Sequence, residues 1–117
     1  MDDKDRRRAV RHDSLNFIQF VVLGEENVPA FEGMGRTLKI SERGLLLETF
    51  SPLEKGQGVV LTLALGENVV EIRGRVANAS PQAAGSCHSG IEFVGITPSA
   101  AVVLRKYLEA FQAAHSD

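Results

Sequence analysis

The chain changes its hydrophobic period once, and that change constrains its architecture more than any other feature. Before residue 97 the apolar residues come in short runs, broken by glycine, proline and small polar residues. After it, Ala100, Val103, Leu104, Tyr107, Leu108 and Phe111 recur at helical spacing on one face. Thr97-Pro98 marks the switch, a hydroxyl suited to capping followed by proline at the first helical position. The earlier runs read as strands at 15–23, 36–40, 45–48, 59–65, 70–76 and 90–94. In the fifth, Val70, Ile72 and Val76 alternate with Glu71, Arg73 and Arg75, which gives one buried and one wet face. Segments 24–35, 51–58 and 78–89 hold three of the four prolines and most of the breakers and read as loops.

Six short strands at regular intervals favour a closed antiparallel barrel, which removes exposed edges. The single C-terminal helix then plugs or flanks that barrel. The expected organisation is one domain, with an arm at 1–13, a barrel at 14–96 and a helix at 98–114. At 117 residues the chain is long enough to bury a core without staples.

Composition narrows the function classes. The lone Cys87 makes no internal disulfide, and no Cys/His spacing suggests zinc. No apolar run reaches the length of a membrane span, and the charged N-terminus reads as neither a signal nor a transit peptide. These features point to a cytoplasmic protein. Net charge is −2, yet 5 of the 13 basic residues (Lys4, Arg6, Arg7, Arg8 and Arg11) fall in the first twelve positions. A local basic cluster on an acidic remainder suits a small anionic ligand better than a long polyanion. DNA and RNA are accordingly not expected partners.

Two stretches carry the candidate chemistry. The first is the arginine cluster: each guanidinium is a planar fork matched to phosphate oxygens, and its face stacks on purines. In an extended arm Arg7 and Arg11 project from the same side. The second is Ser41-Glu42-Arg43-Gly44, a turn with a hydroxyl for local backbone bonds and a glycine free to take positive φ. Leu45, Leu46 and Leu47 follow as a strand buried on most sides. Arg73 and Arg75 read as lining a wet face. His12, His88 and His115 are scattered without an acidic or thiol partner, and no nucleophile–base set or paired carboxylates are present. The chain reads as a binding protein, not an enzyme, with neither metal nor cofactor.

Taken together, these stretches resemble the PilZ domain family. Arg7-Arg8-Ala9-Val10-Arg11 is similar to the family's Arg-x-x-x-Arg arm, and Lys39-Ile40-Ser41-Glu42-Arg43-Gly44 to its second motif, Asp or Asn, any residue, Ser, two residues, Gly. Gly90-Ile91-Glu92-Phe93-Val94-Gly95 and the terminal helix match the usual last strand and helix. The resemblance implies a six-stranded PilZ-like barrel that binds the bacterial second messenger cyclic di-GMP. It assigns phosphates and guanine edges to Arg7 and Arg11, assistance to Arg6 or Arg8, a phosphate or base contact to Ser41, and close backbone approach to Gly44. Lys39 stands where the family prefers an acceptor for the guanine edge; lysine has none and turns to a phosphate instead. The strand ending Arg75-Val76-Ala77-Asn78 also lacks the stacking aromatic of some relatives.

The implied function is a cyclic di-GMP receptor that relays the signal to an unidentified effector protein in motility, pilus or exopolysaccharide control. A degenerate adaptor acting by protein contact alone is the first alternative. A barrel binding single-stranded nucleic acid is the second, and it wants exposed aromatics along a basic face.

Overall fold

Alternation in the six runs has one structural consequence, a sheet whose inner face is apolar and which closes on itself. The structure, a computed structural model, describes residues 17–65 and 68–115. Strands β1 (Phe17–Leu23), β2 (Pro29–Ile40), β3 (Gly44–Thr49), β4 (Gly58–Leu65), β5 (Asn68–Pro81) and β6 (Cys87–Gly95) pair antiparallel in the closed order β1-β2-β3-β6-β5-β4. Closure depends on β1, which pairs with β2 on one side (Phe17↔Arg36) and with β4 on the other (Phe20↔Leu61).

Inward positions follow the period of two. Ile18, Phe20 and Val22 of β1, Val59, Leu61 and Leu63 of β4, and Ile72 and Val76 of β5 are all buried. Their outward neighbours Gln19, Glu71, Arg73 and Arg75 are exposed, as the alternation requires. The leucine run on β3 divides in the same way. Leu45 and Leu47 enter the core, whereas Leu46 faces outward and is half-buried, because successive side chains leave opposite faces of a strand.

Helix α1 (Pro98–His115) packs on the barrel. Thr97 Oγ1 accepts the Ala100 N–H at 3.1 Å, which satisfies one of the orphan donors of the first turn. Ala100, Leu104, Tyr107 and Leu108 are buried and Val103 is half-buried, while the Phe111 side chain lies outside the described residues. Leu104, Tyr107 and Leu108 belong to the same core as the strands. Burial pushes the Tyr107 phenol up to about 12, and the Thr37 hydroxyl on β2 offsets part of that rise. Of these two opposing effects burial is the larger. The phenol therefore stays neutral until strongly alkaline pH. Among the described residues, no helix is long and apolar enough to cross a membrane.

Two segments expected as loops are strand. Residues 29–35 form the first part of the 12-residue β2, and 78–81 extend β5 to meet β6 from Cys87 onward. Most side chains in 29–34 are exposed, so there was no alternation to read; backbone pairing with β1 holds the segment extended instead. Both hairpins reverse through two consecutive left-handed residues, Glu26 and Asn27 (φ 57 and 61) and Ala84 and Gly85 (φ 63 and 84). That geometry matches the right-handed twist of a hairpin, but it strains any residue with a Cβ. Ala84→Gly should therefore raise stability by about 0.5–1 kcal/mol. Chemical denaturation checks this, and an unchanged or lower midpoint would contradict it.

Candidate functional site

Antiparallel order gathers one set of chain ends at one mouth of the barrel. The start of β1, the end of β2, the start of β3, the end of β6 and hence the entry to α1 all lie there. The turn of residues 41–44 joins β2 to β3 at this mouth. Phe17 pairs with Arg36, so the chain before Phe17 joins the barrel at the same end. Arg6, Arg7, Arg8 and Arg11 themselves lie outside the described residues.

The turn is tied down at three points. Ser41 N–H donates to the Gly44 carbonyl at 2.8 Å, and Arg43 N–H donates to Ser41 Oγ at 3.1 Å. Phe93 N–H on β6 donates to the Arg43 carbonyl at 2.8 Å. The exposed serine thus shapes the turn through its own side chain, the local hydroxyl-to-backbone pattern that favours serine in turns. The Arg43 side chain is exposed beside it.

Gly44 has a different reason for being glycine than conformational freedom. The left-handed glycines among the described residues are Gly56 and Gly85, and Gly44 is not one of them. It opens β3 opposite Glu92, and a Cβ added there would lie 2.1 Å from the Ile91 carbonyl oxygen. Any side chain would push β6 away from the turn, at the place where β3 and β6 must pair.

Lys39 follows a bulge. The β2–β3 register shifts between Thr37 and Lys39, which places Thr37 in the core and leaves Lys39 exposed opposite Leu46. The ladder then continues Leu46↔Gly90 and Gly90↔Asn78. Asn78 Oδ1 accepts the Gly90 N–H at 3.3 Å, so a polar amide covers this part of the outer face.

The adjacent row, Arg36↔Glu48↔His88, holds a cluster the sequence reading missed. Arg36 Nη2 lies 3.0 Å from Glu48 Oε1, and His88 Nε2 lies 3.2 Å from Glu48 Oε2. The expectation that His88 has no acidic partner is thereby corrected. The two residues are forty positions apart, and only the β3–β6 register brings them together. Arg73 and Arg75 do line a wet face: Arg73 Nη2 donates to Asn27 Oδ1 at 3.4 Å, and Arg75 Nη2 lies 3.8 Å from Glu92 Oε1. Such exposed pairs contribute little stability. Among the described residues no group of His, Cys, Asp and Glu is arranged to hold a metal ion.

Lys39, Ser41 and Gly44 therefore sit along one strand–turn–strand edge, flanked by Arg36, Arg43 and Glu48. If Gly44 serves β3–β6 pairing, Gly44→Ala should destabilise the protein without ligand by about 1–3 kcal/mol or more. A thermal melt that leaves the midpoint unchanged would contradict this role.

The profile of the PilZ domain matches residues 5–110 of the chain. Among solved structures, the PilZ domain of CeSA from a cellulose synthesizing bacterium aligns at 12% identity with a TM-score of 0.47, covering 85% of this chain and 90% of that one. No curated protein matches the sequence.

Proposed function

The chain belongs to the PilZ domain family, a family of cyclic di-GMP-binding adaptors, and from that premise we propose that it is a cyclic di-GMP receptor acting through a partner protein. The observation that carries the proposal is the shared mouth of the barrel. Arg11 lies six residues before Phe17, and six extended residues span about 20 Å. The arginine segment is thus tethered within reach of Lys39, Ser41 and the backbone of the 41–44 turn.

The chemistry is anion capture by two complementary parts. Arg7 and Arg11 supply bidentate donors to phosphate oxygens and guanine edges, assisted by Arg6 or Arg8. The 41–44 turn presents the Ser41 hydroxyl on a backbone already fixed by β6, so little ordering cost falls on this half of the site. Lys39 adds a point charge toward a phosphate. PilZ domains bind and adapt; they do not catalyse, so the output is a protein contact that changes when the ligand is held. Control of motility, pili or exopolysaccharide through an effector protein is the expected process.

Arg11→Ala removes charge-assisted bonds from the ligand. It should weaken cyclic di-GMP binding by about 1.5–3 kcal/mol in titration calorimetry, with no change in the melting temperature of the free protein. Binding equal to that of the unsubstituted chain would sink the role given to the arginine segment.

A further inference from the structure

From the Arg36↔Glu48 row away from the 41–44 turn, the outer face of β1, β2 and β3 carries a groove of about 450 Å³. Among the described residues it is lined by Phe17, Met34, Gly35, Arg36, Glu48 and Phe50. Phe17, Met34 and Phe50 are 50%, 60% and 75% exposed, an unusual grouping of large apolar side chains on a sheet's wet face. One wall is polar. Glu48 is tethered by Arg36 and His88, one through each carboxylate oxygen. An ionised carboxylate has about four acceptor positions, so capacity remains toward the groove, and the five donors of Arg36 are not exhausted by one contact. The Arg36↔Glu48 row is one step from the Lys39↔Leu46 row, about 7 Å along β3.

We propose that this groove takes a guanine base of cyclic di-GMP, with Glu48 accepting from its donor edge and the Phe50 ring packing on its face. The inference rests on the cyclic di-GMP reading above and deepens it. Planar aromatic side chains suit any base, since every base has a π face. The polar wall makes the choice among bases. Guanine presents a ring N–H and an exocyclic amine side by side, both donors, to a carboxylate. Adenine presents an unprotonated ring nitrogen beside its amine, so the same carboxylate meets a second acceptor. Arg36 is placed to donate to the carbonyl oxygen and ring nitrogen of guanine's other edge, the pairing arginine makes with that base. The arrangement also accounts for Lys39. The acceptor missing at 39 is supplied from 48, one ladder row away, leaving the lysine for a phosphate.

The test is titration calorimetry on the full chain with cyclic di-GMP and cyclic di-AMP. The unsubstituted chain should prefer cyclic di-GMP. Phe50→Ala, at a 75%-exposed position, should keep the fold and weaken cyclic di-GMP binding about tenfold or more. Glu48→Gln should weaken cyclic di-GMP and narrow its advantage over cyclic di-AMP, because an amide offers a donor as well as an acceptor. Equal loss for both ligands in Glu48→Gln would make Glu48 merely structural and overturn the proposal. Binding unchanged in both variants, with Arg11→Ala still weakened, overturns the groove alone. No binding of cyclic di-GMP by the unsubstituted chain overturns the receptor reading and this inference with it.

Discussion

Everything in this fold depends on the pairing of β1 with β4, which turns a six-stranded sheet into a barrel. Without it two strand edges would present unpaired N–H and C=O groups to water and to other chains. With it, the inward residues of all six strands face one another across a single core, to which Leu104, Tyr107 and Leu108 of α1 also belong. The pleat allows no compromise in this arrangement. A slip of one residue in any strand would turn Phe20 or Leu61 outward and bring charged neighbours in.

Closure also decides which chain ends meet. Because all neighbouring strands are antiparallel, β1 begins, β2 ends, β3 begins and β6 ends at the same mouth. The 41–44 turn, the chain leading into Phe17 and the start of α1 are gathered there by topology. The bulge at residues 37–39 refines the placement, sending Thr37 inward near Tyr107 and Lys39 outward on consecutive sides of the same irregularity. Close approach of β6 then holds the turn in place: the Arg43 carbonyl is bonded from Phe93, and Ile91 leaves no room for a side chain at Gly44.

Much of this was legible in the sequence, and the illegible parts have physical reasons. The period-2 runs and the Thr97-Pro98 switch specify strands, barrel and helix, because burial of one face leaves a pattern in the residues. Residues 29–35 left no such pattern, since most of their side chains are wet and only backbone pairing keeps them in β2. The arm and turn motifs were readable as local strings. Glu48 and His88 were not, being forty residues apart and joined only by cross-strand register. Gly44 reads in the sequence as a turn glycine free to take positive φ, yet it is not among the left-handed glycines of the described residues. What the sequence does not show is the carbonyl on a strand nearly fifty residues away that leaves no room for a Cβ there. The groove lined by Phe17, Met34 and Phe50 draws on three separate segments, and each residue alone is an ordinary exposed hydrophobe.

We propose that cyclic di-GMP is recognised on the outer face of β2, β3 and β6, at the mouth where the 41–44 turn lies and the chain enters β1. Amide chemical-shift mapping during a cyclic di-GMP titration addresses it most directly. Large shifts are expected at residues 36–48 and 88–93, with little change at the hairpins around Glu26 and Ala84 at the opposite end. Shifts concentrated at those far hairpins, or no shifts at saturating ligand, would contradict it.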